Sequence, residues 1–236
     1  MDLNKVTVII PVKNEEKNII TFLDSLPPHI KLIVVDSSTD RTRELINIRR
    51  PQNSEIIYEE CNIAKARQTG ADAAGGEWLL FSDADIIFDS VYFSNLEKIT
   101  PADNCGAIIG PKLSQDRHRL YYQIYTLSMR LFSWINIPLG SGSNMLIKKN
   151  VLQETGGFDL QLAVSEDGDI LWRIKKSGYK VIFKNSIKVF EVDHRRLDQG
   201  VFRKYWQSTL RLIFLMLGAR KNLQKSDWGY WRNSEQ

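Results

Sequence analysis

The sequence predicts a three-layer α/β/α domain with a mostly parallel central sheet, followed by a C-terminal amphipathic helix. Two observations predict it. Short runs of apolar and β-branched residues alternate with helical patterns through the first third of the chain, and polar or acidic residues stand directly after those runs. No Pro/Gly/Ser linker, tandem repeat or low-complexity stretch divides the chain, whose 236 residues and 43% hydrophobic content suffice for one large domain or two small ones with a full core. Disordered, collagen-like and disulfide-scaffold classes are excluded.

The first run, Val6-Thr7-Val8-Ile9-Ile10-Pro11-Val12, is apolar on both alternations, as expected of a strand covered on both faces. Asn14 to Asn18 then opens a helical pattern through Ile19, Ile20, Phe22, Leu23 and Leu26, stopped by Pro27-Pro28. Leu32-Ile33-Val34-Val35 forms a second strand ending at Asp36, and Ser37, Ser38, Thr39 and Asp40 offer caps for a helix over Arg41 to Ile48. A short strand at Ile56-Ile57-Tyr58, an Ala-rich helix from Ile63 to Ala74 and a strand at Trp78-Leu79-Leu80-Phe81 complete a βαβαβαβ alternation.

The second half is less regular. Residues 118–138 are rich in Tyr, Leu, Ile, Phe and Trp, and Gly140-Ser141-Gly142-Ser143 leads into a strand at Asn144 to Ile147. Gly156-Gly157-Phe158-Asp159 reads as a turn, and Glu166 to Lys176 as a helix closed by Gly178. Strands at Lys180 to Phe183 and Ile187 to Val192 precede a long amphipathic segment, Val201 to Ala219.

The net charge of +4 divides unevenly: residues 1–193 carry −2, whereas His194 to Gln236 holds nine basic and three acidic residues. Such a basic arm creates a local field that attracts anionic partners. Cys61 and Cys105 fit no metal or redox spacing and no charged-then-apolar leader opens the chain, so a cytoplasmic setting is expected.

In open parallel sheets, ligands bind beyond the carboxyl ends of the strands. Those ends here carry Lys13-Asn14-Glu15, Asp36-Ser37-Ser38 and Ser82-Asp83-Ala84-Asp85. Two carboxylates one residue apart suit a hard divalent cation such as magnesium or manganese, which in turn can bridge a diphosphate. The same pair serves equally as caps for a following helix. An apolar strand followed by Asp-x-Asp also begins phosphohydrolases whose first Asp is a nucleophile, although there the motif closes the first strand and here the fourth. Ser165-Glu166-Asp167-Gly168-Asp169 has the same ambiguity, because acids in a first turn match the helix dipole, and a carboxylate facing a pocket from that position can act as a general base.

Together these segments resemble the ordered signatures of family 2 glycosyltransferases with a GT-A, Rossmann-like fold. The resemblance is carried by Val6 to Glu16, Val34-Val35-Asp36-Ser37-Ser38-Thr39-Asp40-Arg41-Thr42, Ala64 to Ala74 with Gly76 to Asp85, Gly156 to Asp159 and Glu166 to Arg173. It spans roughly residues 5–195, and five motifs in order are far more specific than one. It implies a catalytic domain over 1–195, with a nucleotide-sugar half to about residue 110 and an acceptor half over about 111–195, and a basic extension over 196–236.

The resemblance also implies roles. Pro11, Val12, Asn14 and Glu15 line the nucleotide, Asp36 meets the base or ribose, and Arg67 faces the phosphates. Asp83, Ala84 and Asp85 match the DxD motif, with Asp85 the direct ligand of a manganese or magnesium ion and Asp83 nearer the ribose. Glu166 lies near the acceptor and Asp167 matches the catalytic base. The implied reaction moves a sugar, with inversion, from a nucleotide-diphosphate donor to a saccharide or lipid-linked acceptor. A catalytically silent glycan- or nucleotide-binding module on the same fold is the alternative. Two departures stand out: Ser37 where Gly is common, and Gln68 where Asn is frequent.

His194, after the last short strand, reads either as a surface or satisfied residue or, by the same resemblance, as completing the metal shell, with Arg195 and Arg196 near the diphosphate. The segment Phe202 to Ala219 mixes Arg203, Lys204 and Arg211 with aromatic and aliphatic residues, and its uninterrupted apolar run is far shorter than the roughly 20 residues that span a bilayer. It reads either as a helix packed on the domain or as an interfacial helix on anionic lipid, giving a peripheral place on the cytoplasmic face of the membrane. Residues 120–135 supply either a second apolar contact or core. No nucleic-acid motif accompanies the basic arm, so nucleic acid is not an expected partner.

Overall fold

The structure, a computed structural model, describes residues 1–162, 164–198, 200–218 and 223. Its first half follows the predicted alternation: β1 (Val6–Val12), α1 (Ile19–Ser25), β2 (Lys31–Asp36), α2 (Thr42–Arg49), β3 (Ser54–Tyr58), α3 (Ile63–Ala73) and β4 (Trp78–Ser82). Then come β5 (Ile86–Phe88), α4 (Tyr92–Glu97), β6 (Cys105–Ile109), β7 (Lys112–Ser114), α5 (Arg119–Trp134), β8 (Asn144–Lys148), α6 (Lys149–Glu154), α7 (Glu166–Lys176), β9 (Lys180–Phe183), β10 (Val189–Glu191), α8 (Arg195–Asp198) and α9 (Val201–Met216).

A seven-stranded sheet in the order β3-β2-β1-β4-β8-β6-β9 forms the middle layer. Only β8 runs against the others, which makes the sheet mostly parallel. Successive side chains of a strand point to opposite faces, and the core divides accordingly. Val8, Ile10, Leu32, Val34 and Leu80 join Phe22, Ile46 and Tyr92 on one face, while Ile9, Ile33, Val35, Leu79 and Phe81 join Ala64, Ala71, Ile170 and Ile174 on the other. Helices α1, α2 and α4 therefore cover one side and α3, α6 and α7 the other.

The register places Val12 opposite Asp36, and Ile9 opposite Phe81. The carboxyl ends of β1, β2 and β4 thus open on one edge. A second, three-stranded sheet in the order β5-β10-β7 stands at that edge, with β10 antiparallel to β5 and parallel to β7. Its shortness hid it from the sequence pattern: Ile187 to Val192 was expected as one strand, and only Val189–Glu191 pairs. Beyond it, α9 packs on α7, where a Cβ on Gly168 would lie 2.8 Å from Leu215 Cδ1. Leu215 and Phe214 also meet Leu162 and Leu223 in a small separate cluster. Among the described residues no helix is long and apolar enough to cross a membrane.

Candidate active site

The loop after β1 and the loop after β2 are sewn together. Asn14, in the left-handed region at φ 55°, donates its N–H to Ser38 Oγ (2.9 Å) and accepts the Thr39 N–H at Oδ1 (2.9 Å), while the Glu15 N–H reaches Thr42 Oγ1 (2.9 Å). Pro11 and Val12 lie in the strand beside Val35 and Asp36. Asp36 is fully buried; it accepts the Ser38 N–H (2.9 Å) and pairs with Arg43 (2.7 Å), whose guanidinium covers the Tyr58 ring at 4.7 Å. Ser37 is not among the residues with positive φ, so the side chain that replaces the common Gly is accommodated without strain.

Arg67 is the pivot of the site. It lies on α3 with 2% of its side chain exposed, and it donates to Glu166 at the start of α7 and to Asp83 Oδ1 at the end of β4, the latter at 2.9 Å. The other oxygen of Asp83 accepts the Ser143 hydroxyl, which also receives Lys112 Nζ at 3.0 Å. Lys112 in turn pairs with the buried Glu191 of β10. A continuous polar chain thus runs from Glu191 through Lys112, Ser143, Asp83 and Arg67 to Glu166, tying β10, β7, β4, α3 and α7 together. Burial pushes the Glu166 carboxyl up to about 7, with Arg67 acting against that rise and Asp167 with it.

Asp167 stands in the first turn of α7, half-buried, and accepts the Gly142 N–H at Oδ2 (2.8 Å) and the Gly168 N–H at Oδ1 (2.7 Å). A side chain at residue 142 would crowd the guanidinium that Glu166 and Asp83 hold in place: a Cβ there would sit 2.1 Å from Arg67 Nη1. Helix α7 itself is fixed by Arg173, which pairs with the buried Asp169 (2.7 Å) and donates to the carbonyls of Thr155 and Gly157 at 2.6 Å each. The acids of its first turn therefore divide: Asp169 is structural, while Glu166 and Asp167 face the cleft. Gln68, the other departure, accepts the Phe158 N–H at 2.8 Å and so clamps the Gly156-Gly157 turn to α3.

Arg67, Asp83, Glu166 and Asp167 line a cleft of about 190 Å3, whereas Pro11, Val12, Asn14, Glu15, Asp36 and Asp85 lie outside its lining. Besides Asp83, Arg67, Glu166 and Asp167, the cleft is lined by Tyr121, Tyr122 and Tyr125 of α5, a wall of tyrosines, and by Lys204, Ser208 and Arg211 of α9. His194 lines it too, buried, with Nε2 2.7 Å from Asp116 Oδ1 and Nδ1 3.5 Å from the Tyr122 hydroxyl. The Arg117 backbone N–H and then the His194 ring hold the Asp116 carboxyl well below the usual carboxylate range. Asp85 is half-buried, and its carbonyl accepts the Val192 N–H at 2.9 Å. Ala84 is buried between the two carboxylates. Arg195 pairs with Asp193 and stands 3.6 Å from Glu15, joining α8 to the β1 loop. The Arg196 side chain and the tail cations Arg220, Lys221, Lys225 and Arg232 lie outside the described residues.

Among the described residues no three His, Cys, Asp or Glu side chains are grouped to hold a metal ion. The donor types nevertheless fit one, since carboxylate oxygens with an imidazole suit manganese or magnesium. Asp83 and His194 border the same cleft, each now engaged by protein partners. Sequence reasoning missed Gly142, Ser143, Lys112, Glu191 and the Tyr121 to Tyr125 wall. The signal for the first two was the Gly140 to Ser143 run, whose small residues permit close approach; the others become visible only once the small sheet and α5 are placed.

The sequence profile of glycosyl transferase family 2 matches residues 7–156, most of the chain and all of the β1 to β8 framework. The chain belongs to this family. Among curated relatives, glycosyltransferase GlyA of Streptococcus pneumoniae is 32% identical over 103 residues, covering 40% of this chain and 15% of GlyA. The pre-mycofactocin glycosyltransferase of Mycobacterium tuberculosis is 22% identical over 222 residues, 84% of this chain and 45% of that protein. The chain therefore spans less than half the length of these relatives. Among solved structures, the mannosyltransferase PcManGT from Pyrobaculum calidifontis, in complex with GDP-Man and Mn2+, superposes with a TM-score of 0.66 at 24% identity, covering 80% of this chain and 56% of that one. Staphylococcus aureus TarS residues 1–349 in complex with UDP gives 0.62 at 19% identity, over 79% of this chain and 60% of that one. These neighbours establish the GT-A fold.

Proposed function

We propose that this chain is the catalytic part of a hexosyltransferase that moves a sugar from a nucleotide-diphosphate donor to an acceptor hydroxyl with inversion, in the synthesis of a polysaccharide, glycolipid or lipid-linked saccharide. One observation carries the reading: Arg67, buried between Asp83 and Glu166, locks the end of β4 to the start of α7, so that Asp83 and Asp167 face one cleft. The donor's nucleotide belongs along the β1 and β2 loops, between Pro11 to Glu15 and Asp36, and its diphosphate at the β4 end. Asp83 and Asp85, with His194 as a third donor, would hold a manganese or magnesium ion there, which supplies positive charge to the diphosphate.

Asp167 rather than Glu166 is suited to be the base. Glu166 is buried and committed to Arg67, whereas Asp167 is half-buried, lines the cleft from the first turn of α7, and is positioned by the backbone N–H groups of Gly142 and Gly168. As the acceptor oxygen bonds to the anomeric carbon, its proton passes to Asp167, and the bond from that carbon to the phosphate oxygen breaks on the opposite face. The nucleoside diphosphate departs with the electron pair, close to the cationic Arg67. The tyrosine wall offers flat faces for the sugar rings of an acceptor.

A thermal-shift screen of nucleoside diphosphates with and without manganese tests the donor side, because a ligand of the native state raises apparent stability. A manganese-dependent shift that Asp83→Ala abolishes is expected. Sugar-nucleotide turnover unaffected by chelation and by Asp83→Ala would overturn the metal-dependent reading.

A further inference from the structure

Eleven of the fifteen large apolar side chains exposed among the described residues lie on α5, α9 or the residue that ends each of them. They are not scattered. On α5 they fall at Leu120, Ile124, Leu127, Leu131 and Trp134, a spacing that keeps them on one helical face. The opposite face of α5, through Tyr122 and Met129, is buried. On α9 Phe202, Tyr205, Trp206 and Ile213 form a second stripe, opposite the buried Arg211 and Leu215. Phe202 is 90% exposed, Trp134 70% and Trp206 63%.

The two helices meet, since Tyr121 bonds to Ser208, and both turn their inner faces to the same cleft. Each stripe therefore lies on the side of its helix away from that cleft. Neither helix contains an acidic residue, while Arg119, Arg130 and Arg203 are exposed along them and the chain continues into Arg220, Lys221, Lys225 and Arg232. At 16 residues each helix is about 24 Å long. That favours lying in the plane of an interface over crossing it, and Trp and Tyr beside Arg match the headgroup layer.

We infer that α5 and α9 together form a docking surface for an anionic lipid bilayer, holding the cleft beside the headgroup layer so that the acceptor enters from the membrane. The surface engages lipid through its apolar stripes and its cations draw it to negative headgroups. The statement about the acceptor rests on the transferase reading; the docking does not.

Co-sedimentation with vesicles of phosphatidylglycerol and phosphatidylcholine, against phosphatidylcholine alone, tests it without any turnover. The full chain should pellet with the anionic vesicles, more strongly at low salt. The pairs Phe202→Ser with Trp206→Ser and Leu127→Ser with Trp134→Ser should each weaken partitioning about tenfold or more, with melting temperature and donor hydrolysis unchanged. Arg119→Gln with Arg203→Gln should weaken it chiefly at low salt. Three outcomes overturn the inference: no pelleting with anionic vesicles at low salt, pelleting indifferent to both apolar pairs, or a lipid-free dimer in sedimentation velocity that those pairs dissolve, which would make a second copy the occupant. If vesicle binding behaves as expected while no sugar nucleotide is turned over, the docking stands and the transferase reading falls.

Discussion

Replacing Arg67 by methionine keeps most of its volume and removes its charge, leaving two carboxylates without their shared cation. Asp83 suffers less, being 24% exposed and still bonded to Ser143, whereas the Glu166 side chain is only 7% exposed. Removing one partner of a buried ion pair costs about 3–5 kcal/mol. For a chain of this size each kcal/mol moves the melting temperature by roughly 2–4 °C, so a fall of about 6–20 °C is expected in mildly alkaline buffer. Glu166 has an escape: burial already pushes its carboxyl up to about 7, and without Arg67 it rises further. At mildly acidic pH it is protonated, and the same substitution should cost less. Adding Glu166→Gln to Arg67→Met removes the stranded charge and should restore part of the loss. Thermal denaturation followed by circular dichroism at both pH values reads all of this. A melting temperature for Arg67→Met indistinguishable from the parent's, or a double variant no more stable than the single, would refute the picture of a buried cation shared by two acids.

Three further outcomes follow from the same geometry. A carboxyl whose pKa is higher folded than unfolded binds more protons in the folded state between the two values, so its contribution to stability falls as pH rises from its ordinary 4.5 to about 7; Glu166→Gln should flatten that slope in a pH series of melting curves, and an unchanged slope would contradict the assignment. Gly142→Ala drives a methyl into the pinned Arg67 guanidinium and should cost about 1–3 kcal/mol, whereas Gly168→Ala meets only the movable tip of Leu215 while gaining about 1 kcal/mol of helix propensity, and should stay within about 1 kcal/mol of the parent.

The parallel half of the fold was legible because its central strands are buried on both faces and therefore almost continuously apolar: the run Val6 to Val12 is β1, although Pro11 reads as its end and the strand continues through it to Val12, and Glu166 to Lys176 is α7. Helix caps and glycines marked most other boundaries. The small sheet was not legible, since three-residue strands such as Ile86–Phe88 and Lys112–Ser114 show no period. Helix α5 was ambiguous for a different reason: its apolar residues include both a buried face and an exposed stripe, and hydrophobicity alone does not separate them.

At the site, the residue types were readable and their pairings were not. Asp83 and Asp167 stand out as charges at a strand end and a helix start, and Arg67 through the family resemblance, yet Arg67 and Glu166 are 99 residues apart in sequence, and nothing local says that they bond. Asp36 and His194 show the same limit. Each is a polar residue after a strand, and only the fold reveals that Arg43 and Asp116 are their partners. Gly142 lay within a recognised loop, but the crowding a side chain would meet there comes from a guanidinium delivered by α3.

The central claim is that Asp167 takes the acceptor's proton in a cleft whose donor side is organised by Arg67 and Asp83. The most direct measurement compares Asp167→Asn with the parent in a glycosyl-transfer assay and, on the same samples, in nucleoside-diphosphate binding by calorimetry. The amide keeps an oxygen for the Gly142 N–H and loses the basic site. Transfer should fall by about 10²–10⁴-fold with nucleotide affinity unchanged; full transfer activity in Asp167→Asn would contradict the account.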